Sequence, residues 1–479
     1  MAKAPKAPGK NGPSDLRALA DALDQKIIAV GDGYWQGQVL LGSLVALARA
    51  LGDERARAVL ARVTVPSWKA RGTAHVAEGL ALAGHTELAR KAIEETHRLL
   101  QHPEVDGEEG TLAWRAAAYA YGALGDEAGV DRCLAEALQC AKNERSNPTQ
   151  PWPHLAVAYA VLGRDALLEE HLREHAGGTW LSFDDARAAE LIVRRAVERG
   201  DVAGFVRWSE FLAEHNGYYL SSGLKEGALV AATAHPDALV EVVAAFAANE
   251  SYGDDGCATV AWRLGAAGHV ELARAVVTAA QRHSTREAPL LALCARQLDA
   301  AATDVTLGDG LHAFIEPFRL RWAVAPDAAR ALADAHELSL RSALAAGGAT
   351  PSENLAALGI ALVQVGEHAR GTAIVNEALT QAAALSGGAK ASALKSIGVA
   401  ASERDLADAG LFALRKLTSK YARTDVSKAL SLSYVRAHDY LGAVAVVAMG
   451  EERPLSQAMR LCDALSAAAG TPRAFTNYA

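Results

Sequence analysis

The segment His171-Leu172-Arg173-Glu174-His175 contains residue types that can bind a metal ion and use it in hydrolysis. Histidines one helical turn apart can share a metal, and a glutamate between them can act as a general base. The neighbouring residues Glu169 and Glu170 make the same helix strongly charged, and no third ligand follows from the spacing. We therefore expect His171 and His175 to lie on a solvated helix face, and we predict no metal and no enzymatic activity.

Other candidate sites are weaker. The segments Gly253–Gly256 and Gly308–Gly310 are rich in glycine and aspartate, but neither matches a phosphate-binding or calcium-binding loop, so turn chemistry explains them better. No G-x-S-x-G sequence occurs. The 5 cysteines form no C-x-x-C pair, which predicts buried thiols rather than disulfides or a zinc site. We predict no cofactor.

Composition and charge narrow the class of protein. The chain has 479 residues, of which 51% are hydrophobic and only 6% aromatic, with 15 prolines. This alanine-rich composition favours helices. A net charge of −8 argues against a nucleic-acid partner, because such proteins usually carry a basic surface. Residues 1–14 read as a flexible basic tail rather than a signal peptide, and no segment predicts a membrane span, so we expect a cytoplasmic protein.

Internal repeats give the strongest signal. Gly84 opens the segment GHTELARKA and Gly268 opens the similar segment GHVELARAV. A glycine followed by a polar residue recurs at intervals of roughly 34 to 40 residues, the range of two-helix repeats. The series comprises Gly52, Gly84, Gly125, Gly163, Gly200, Gly268 and Gly366, with His235-Pro236, Arg404-Asp405 and His438-Asp439 at the remaining turns. Each glycine should end one helix, and Asp53, Asp126 and Asp201 should cap the next.

Two units carry aromatic and small residues at characteristic distances before the turn. They are Trp114, Ala118, Tyr121 and Gly125 in one unit, and Trp152, Ala156, Tyr159 and Gly163 in the other. In this pattern the chain resembles the tetratricopeptide-repeat (TPR) family, with degenerate repeats. The resemblance implies an all-α, right-handed superhelical α-solenoid of helix-turn-helix repeats. We predict an N-terminal solenoid over residues 15–285, an irregular helical connector over 286–349 and a C-terminal solenoid over 350–479.

The resemblance also implies a binding surface, because the first helix of each TPR lines a concave groove. Large, charged and aromatic residues, which are common at interfaces, occur at the corresponding positions. The predicted groove residues are Arg71, Glu78, Arg115, Tyr119, Arg187, Arg194, Asp255 and Trp262. Arg115 and Tyr119 stand where chaperone-binding TPRs place lysine and asparagine, so a chaperone C-terminus is not expected.

We therefore predict a scaffold that binds a protein or peptide segment in this groove, with no membrane partner. Two alternatives stay open. The first is a regulator that senses a peptide or a small ligand, although no DNA-binding helix-turn-helix stands out. The second is an enzyme with a metal or carboxylate site on an α/α toroid, which abundant Asp and Glu permit.

Overall fold

The computed structural model of the protein is all-helical, with no strand in the residues that it describes. This confirms the predicted all-α class. The residues described are 13–30, 33–102, 105–144, 151–175, 183–215, 218–249, 256–302, 305, 307–308, 310–344, 349–451 and 453–471. The predicted basic tail falls almost entirely outside them.

The helices follow one another with short connections. The N-terminal ones are α1 Pro13–Ala29, α2 Gly33–Leu51, α3 Asp53–Leu60, α4 Pro66–Leu82, α5 Thr86–Leu100, α6 Gly107–Leu124, α7 Glu127–Asn143, α8 Pro151–Leu162 and α9 Asp165–His175. The central ones are α10 Phe183–Arg199, α11 Val202–His215, α12 Tyr218–Ala234, α13 Pro236–Ala248, α14 Gly256–Ala266, α15 Val270–Gln281, α16 Ala288–Leu298, α17 Leu311–Val324 and α18 Pro326–Leu344. The C-terminal ones are α19 Ala349–Gln364, α20 His368–Ala384, α21 Gly387–Glu403, α22 Ala407–Lys416, α23 Lys420–Arg436, α24 Tyr440–Gly450 and α25 Pro454–Ala468.

Consecutive helices pair into hairpins, such as α4 with α5 and α6 with α7, and the first helices of neighbouring hairpins pack on one another. The second helices are amphipathic, whereas the first helices α2, α4, α6 and α19 are buried on nearly all sides. In α4, residues 70–80 are all buried. Small residues allow this close approach, since a Cβ at Gly79 would lie 2.4 Å from the carbonyl oxygen of Val45 in α2. The repeat of hairpins agrees with the periodicity of the sequence.

All seven predicted turn glycines adopt the left-handed conformation, with φ between 66° at Gly200 and 96° at Gly366. Glycine lacks the Cβ that makes this conformation costly. Two turns without glycine use His438 and Asp405, at φ 57° and 62°. The second of these lies within the predicted turn Arg404-Asp405, at its second residue.

The predicted aspartate caps are confirmed at two of three positions. The Asp126 carboxylate accepts a hydrogen bond from the Gly129 amide at 2.8 Å, and Asp201 accepts one from Gly204 at 2.9 Å. The prediction for Asp53 is wrong, because this residue is already inside α3 and pairs with Arg57 at 2.8 Å. A shorter connection after Gly52 explains the difference, since the helix begins at the very next residue.

The chain forms two compact units, Met1–Ala158 with Gly398–Ala479 (unit 1) and Tyr159–Ile397 (unit 2). In unit 1 the first helix of the chain, α1, packs against α24 and α25. Its buried face includes Leu19, Leu23 and Ile27. Helix α2 also packs against α25, and Arg49 donates an exposed hydrogen bond to the carbonyl of Gly470, just after α25.

Unit 2 contains the helices of the predicted connector, α16 to α18. Helix α16 follows the hairpin of α14 and α15 and is not the first or second helix of a hairpin. It packs on α14, α15 and α17. This additional helix shifts the phase of the turn glycines between residues 286 and 349. The domain boundaries given above stay predictions.

Two expectations from the sequence were that no segment spans a membrane and that the cysteines are buried thiols. None of the helices in the described ranges is both long and apolar enough to cross a membrane. All five cysteines are buried and unpaired, as predicted. Cys133 and Cys140 lie on the same buried face of α7.

Candidate functional site

The first halves of four alternate helices, the first helices of successive hairpins, bring polar side chains together in unit 1. Proline at the first or second position favours the start of α4 at Pro66, and the Asp106 carboxylate accepts a hydrogen bond from the Gly107 amide at the start of α6. The side chains come from α2, α4, α6 and α8. We call them the polar cluster: Gln38, Arg71, Glu108, Glu109, Arg115 and His154.

His154 lies between the guanidinium of Arg115 and the carboxylate of Glu108. Its Nδ1 is 3.4 Å from Nη1 of Arg115, and its Nε2 is 3.8 Å from the Glu108 carboxylate. A guanidinium can only donate, so Nδ1 accepts and a neutral ring carries its proton on Nε2, which faces Glu108. The side chains of His154 and Glu108 remain 16% and 28% exposed, so the cluster is accessible from this edge.

Arg71 lies at the buried end of the cluster and is 0% exposed. Its Nη1 donates a long hydrogen bond of 3.4 Å to Oε1 of Gln38. Its Nε and Nη2 are buried and have no hydrogen-bond partner among the described residues. Burial lowers the pKa of Arg71 to about 10, and the charge of Arg115 acts in the same direction, whereas the Glu109 carboxylate opposes both.

Aromatic side chains stand beside the cluster at the start of α2 and α4. Tyr34 packs edge-on against Trp35 and Trp68, at ring-centroid distances of 5.4 and 5.7 Å. Tyr34 and Trp35 are 55% and 44% exposed. The phenol of Tyr34 is close enough to Arg71 to affect the pKa of its guanidinium. We call Tyr34, Trp35 and Trp68 the aromatic rim.

Four of the predicted groove residues lie on α4 and α6 of unit 1 but are not on its surface. Arg71, Glu78, Arg115 and Tyr119 are between 0% and 3% exposed. The expectation that they line an accessible groove surface is therefore corrected: the small residues of α2, α4 and α6 let these helices approach until the side chains are enclosed. Whether the four residues contact a partner stays a prediction.

The other predicted groove residues do not join them. In unit 2, the Arg194 side chain is 44% exposed and pairs with Glu198 at 2.6 Å. Trp262 is 8% exposed, and its indole N–H donates to Oε1 of Gln297 at 2.7 Å. Asp255 and the side chain of Arg187 lie outside the described residues.

Arg321 in unit 2 is a buried arginine that the repeat pattern did not single out. It is 1% exposed, and its guanidinium donates to the carbonyls of Asp299 at 2.5 Å, Ala302 at 2.6 Å and Gln297 at 3.4 Å. These carbonyls terminate α16 and form the turn after it. Arg319 lies two residues away in the same helix, so no feature of the sequence distinguished Arg321.

The predicted solvated face of α9 is only partly present. Arg173 and Glu174 are exposed, but His171 is 5% exposed and packs edge-on against Tyr159 at 5.8 Å. The side chain of His175 lies outside the described residues. No group of three or more His, Cys, Asp or Glu side chains suited to a metal ion occurs in the parts of the chain that the structure describes.

Comparisons with known proteins give no family. No family model matches the sequence, and no curated protein matches it. Among solved structures, the chain is similar to Ton1535 from Thermococcus onnurineus NA1, with 12% identity, 91% of this chain and 99% of that chain covered, and a TM-score of 0.26. It is also similar to a circular tandem repeat protein with novel repeat topology and enhanced subunit contact surfaces, with 15% identity, coverages of 98% and 95%, and a TM-score of 0.18. Likenesses this low carry no argument about function.

Proposed function

We propose that the protein is a non-enzymatic, TPR-like α-solenoid that binds a small ligand or a short peptide group at the polar cluster of unit 1. The observation that carries this proposal is the exposed aromatic rim beside a buried, charged interior. Ligand sites commonly combine apolar and aromatic walls with a few polar groups that fix orientation. Tyr34 and Trp35 supply the accessible aromatic surface, and His154 and Glu108 supply the polar edge.

This proposal modifies the expectation of a long peptide groove. A groove would require exposed side chains on successive first helices, and Arg71, Arg115 and Tyr119 are enclosed. A buried charged cluster instead suits a ligand that inserts one compact group. The sensing alternative is thus favoured over a scaffold that holds an extended segment.

A thermal-shift screen tests the proposal. The wild-type protein is heated with a library of metabolites and short peptides, alongside a Tyr34→Ala/Trp35→Ala variant. A ligand that binds the native state raises the unfolding temperature. We expect at least one compound to do so in the wild type, with the shift lost in the double variant.

Tyr421→Ala is the matched control, since Tyr421 is 84% exposed and lies on α23, outside the rim. It should respond to the ligand as the wild type does. A library without hits, or hits that survive the loss of both rim residues, would overturn the proposal.

A protein scaffold is the second candidate, favoured by the exposure of the aromatic pair Tyr34 and Trp35. Exposed aromatic residues are common at protein interfaces. Affinity capture with quantitative mass spectrometry distinguishes the two candidates. Under the scaffold hypothesis the wild type and Tyr421→Ala enrich the same protein, which the rim variant does not.

A further inference from the structure

We infer that Arg71 binds the carboxylate group of the ligand, side-on, through its Nε and Nη2 atoms. This inference rests on the proposed function and names the chemical class of the ligand. The two nitrogens without a partner are adjacent on one edge of the guanidinium, because Nη1, which bonds Gln38, is on the side of Cδ. Nε–H and Nη2–H point in parallel and match the two oxygens of a planar carboxylate.

Because Arg71 is buried, leaving this edge of its guanidinium without a partner costs folding free energy. A charged group enclosed without a partner is strongly destabilising, so buried arginines are normally paired or fully hydrogen-bonded. Among the described residues no carboxylate lies within ion-pair distance of Arg71, and its one hydrogen bond is long. An anion from outside the chain would supply both the charge and the acceptors that are missing.

The surrounding charges select a monoanion. The positive charge of Arg115 acts on Arg71 and lowers its pKa, but Glu108 and Glu109 oppose it, so part of the combined positive charge is already compensated. A dianionic phosphate would be repelled by these carboxylates, and its tetrahedral oxygens gain less from one planar fork. A carboxylate adds one negative charge in the matching plane.

The aromatic rim indicates what carries the carboxylate. Tyr34 and Trp68 form an edge-on pair with centroids 5.7 Å apart, next to the position of Arg71 in the first half of α4. Such rings pack well against a planar or apolar body. We take a compact arylcarboxylate as the ligand class, because an aromatic body can pack on these rings while its carboxylate pairs with Arg71. The same chemistry is present in a peptide that ends in a free C-terminal aromatic residue.

Calorimetric titration with defined probes tests the inference. The probes are phenylacetate, the neutral phenylacetamide and inorganic phosphate, at matched ionic strength. We expect phenylacetate to bind, with affinity at least tenfold above that of either other probe. Two tetrapeptides ending in phenylalanine, one with a free and one with an amidated C-terminus, distinguish a peptide end from a small molecule as the source of the carboxylate. Binding of only the free-acid peptide would assign the site to a peptide end, and binding of phenylacetate would assign it to a small molecule.

Variants locate the site. Arg71→Met should reduce carboxylate affinity at least tenfold, and Arg71→Lys should do the same, because lysine keeps the charge but lacks the fork. Arg90→Met is the control, since the Arg90 side chain is 62% exposed and pairs with Glu87 on α5. Circular dichroism checks that each variant folds, and Arg71→Lys serves if the methionine variant does not.

The outcomes separate the inference from the proposed function. Equal binding of phenylacetate and its amide, or unchanged affinity in Arg71→Lys, overturns the carboxylate assignment. So does the absence of binding by every carboxylate probe. If rim-dependent ligands are still found in the thermal-shift screen, the proposed function survives that failure, whereas a screen without rim-dependent ligands rejects both.

Discussion

Arg71 in unit 1 and Arg321 in unit 2 are both enclosed arginines on first helices, but their donors are used differently. Arg321 makes three hydrogen bonds to backbone carbonyls around the end of α16. Arg71 makes one long bond to Gln38, and the paired donors on its other edge have no acceptor among the described residues. Equal burial therefore does not imply an equal role: the guanidinium of Arg321 holds the end of α16, whereas we infer that the free edge of Arg71 binds a ligand.

The largest effect expected from this comparison is at Arg321. In Arg321→Met, the buried carbonyl of Gln297 and the part-buried carbonyls of Asp299 and Ala302 lose their donor, and each unsatisfied group is costly. We expect a loss of stability on the order of 3 to 5 kcal/mol. The apparent urea midpoint, followed by circular dichroism, measures it. A midpoint equal to that of the wild type would show that water replaces the guanidinium at these carbonyls.

A smaller effect is expected at Glu287 of unit 2, which is 2% exposed. Its carboxylate accepts hydrogen bonds from the amides of Cys257 at 3.2 Å and Ala258 at 3.0 Å, at the start of α14. Glu287→Gln removes the charge and turns one acceptor into a donor, which should cost about 1 to 2 kcal/mol.

Unit 1 offers a matched control for this change. The more accessible Glu144 accepts from the Glu108 amide at 2.9 Å, at the start of α6. Glu144→Gln should lower the midpoint less than Glu287→Gln does, because solvent can replace the lost acceptor. The opposite order would contradict the view that enclosed charges at helix starts are structural in unit 2.

Arg71→Met should lower stability by no more than about 1 kcal/mol, because the substitution also removes the cost of an enclosed, poorly paired charge. The substitution loses one long hydrogen bond, but it also removes a buried charge whose pKa is already lowered to about 10. The apparent urea midpoint without ligand measures the difference from Arg321→Met. A loss as large as that at Arg321 would mean that Arg71 is structural, and the comparison would fail.

The smallest expected effect is the alkylation of buried cysteines in the native protein. Alkylation of a given cysteine also reports whether the unit that contains it has unfolded locally. Burial raises the pKa of Cys133 in unit 1 and of Cys294 in unit 2 to about 12. At pH 8 almost no thiolate is present, since reactivity grows only as the pH approaches the pKa. We expect negligible alkylation in the wild type and labelling of Cys294 before Cys133 in Arg321→Met, measured by peptide mass spectrometry. Simultaneous labelling would indicate that the two units do not open independently.

The repeat and its turns were predictable because they depend on local chemistry. Gly125 ends a helix in the left-handed conformation, and Asp126 caps the next, whatever lies around them. The positions of Arg71 and Arg115 on first helices followed from the same spacing. Their enclosure did not, because it depends on how closely α2, α4 and α6 approach. Gln38 and His154 were missed for the same reason, since residues 33 and 39 positions away complete the contacts of Arg71 and Arg115.

The sequence by itself determined an all-α chain of hairpins, the turns between them and the burial of the cysteines. These properties follow from helix propensity, from glycine at positive φ and from apolar periodicity, all of which act within one repeat. Only the tertiary structure decided that α1 packs with α24 and α25, and that Arg321 is satisfied while Arg71 keeps two unused donors. The reason is that a buried donor finds its acceptor on another helix, at a distance in sequence that no local pattern specifies.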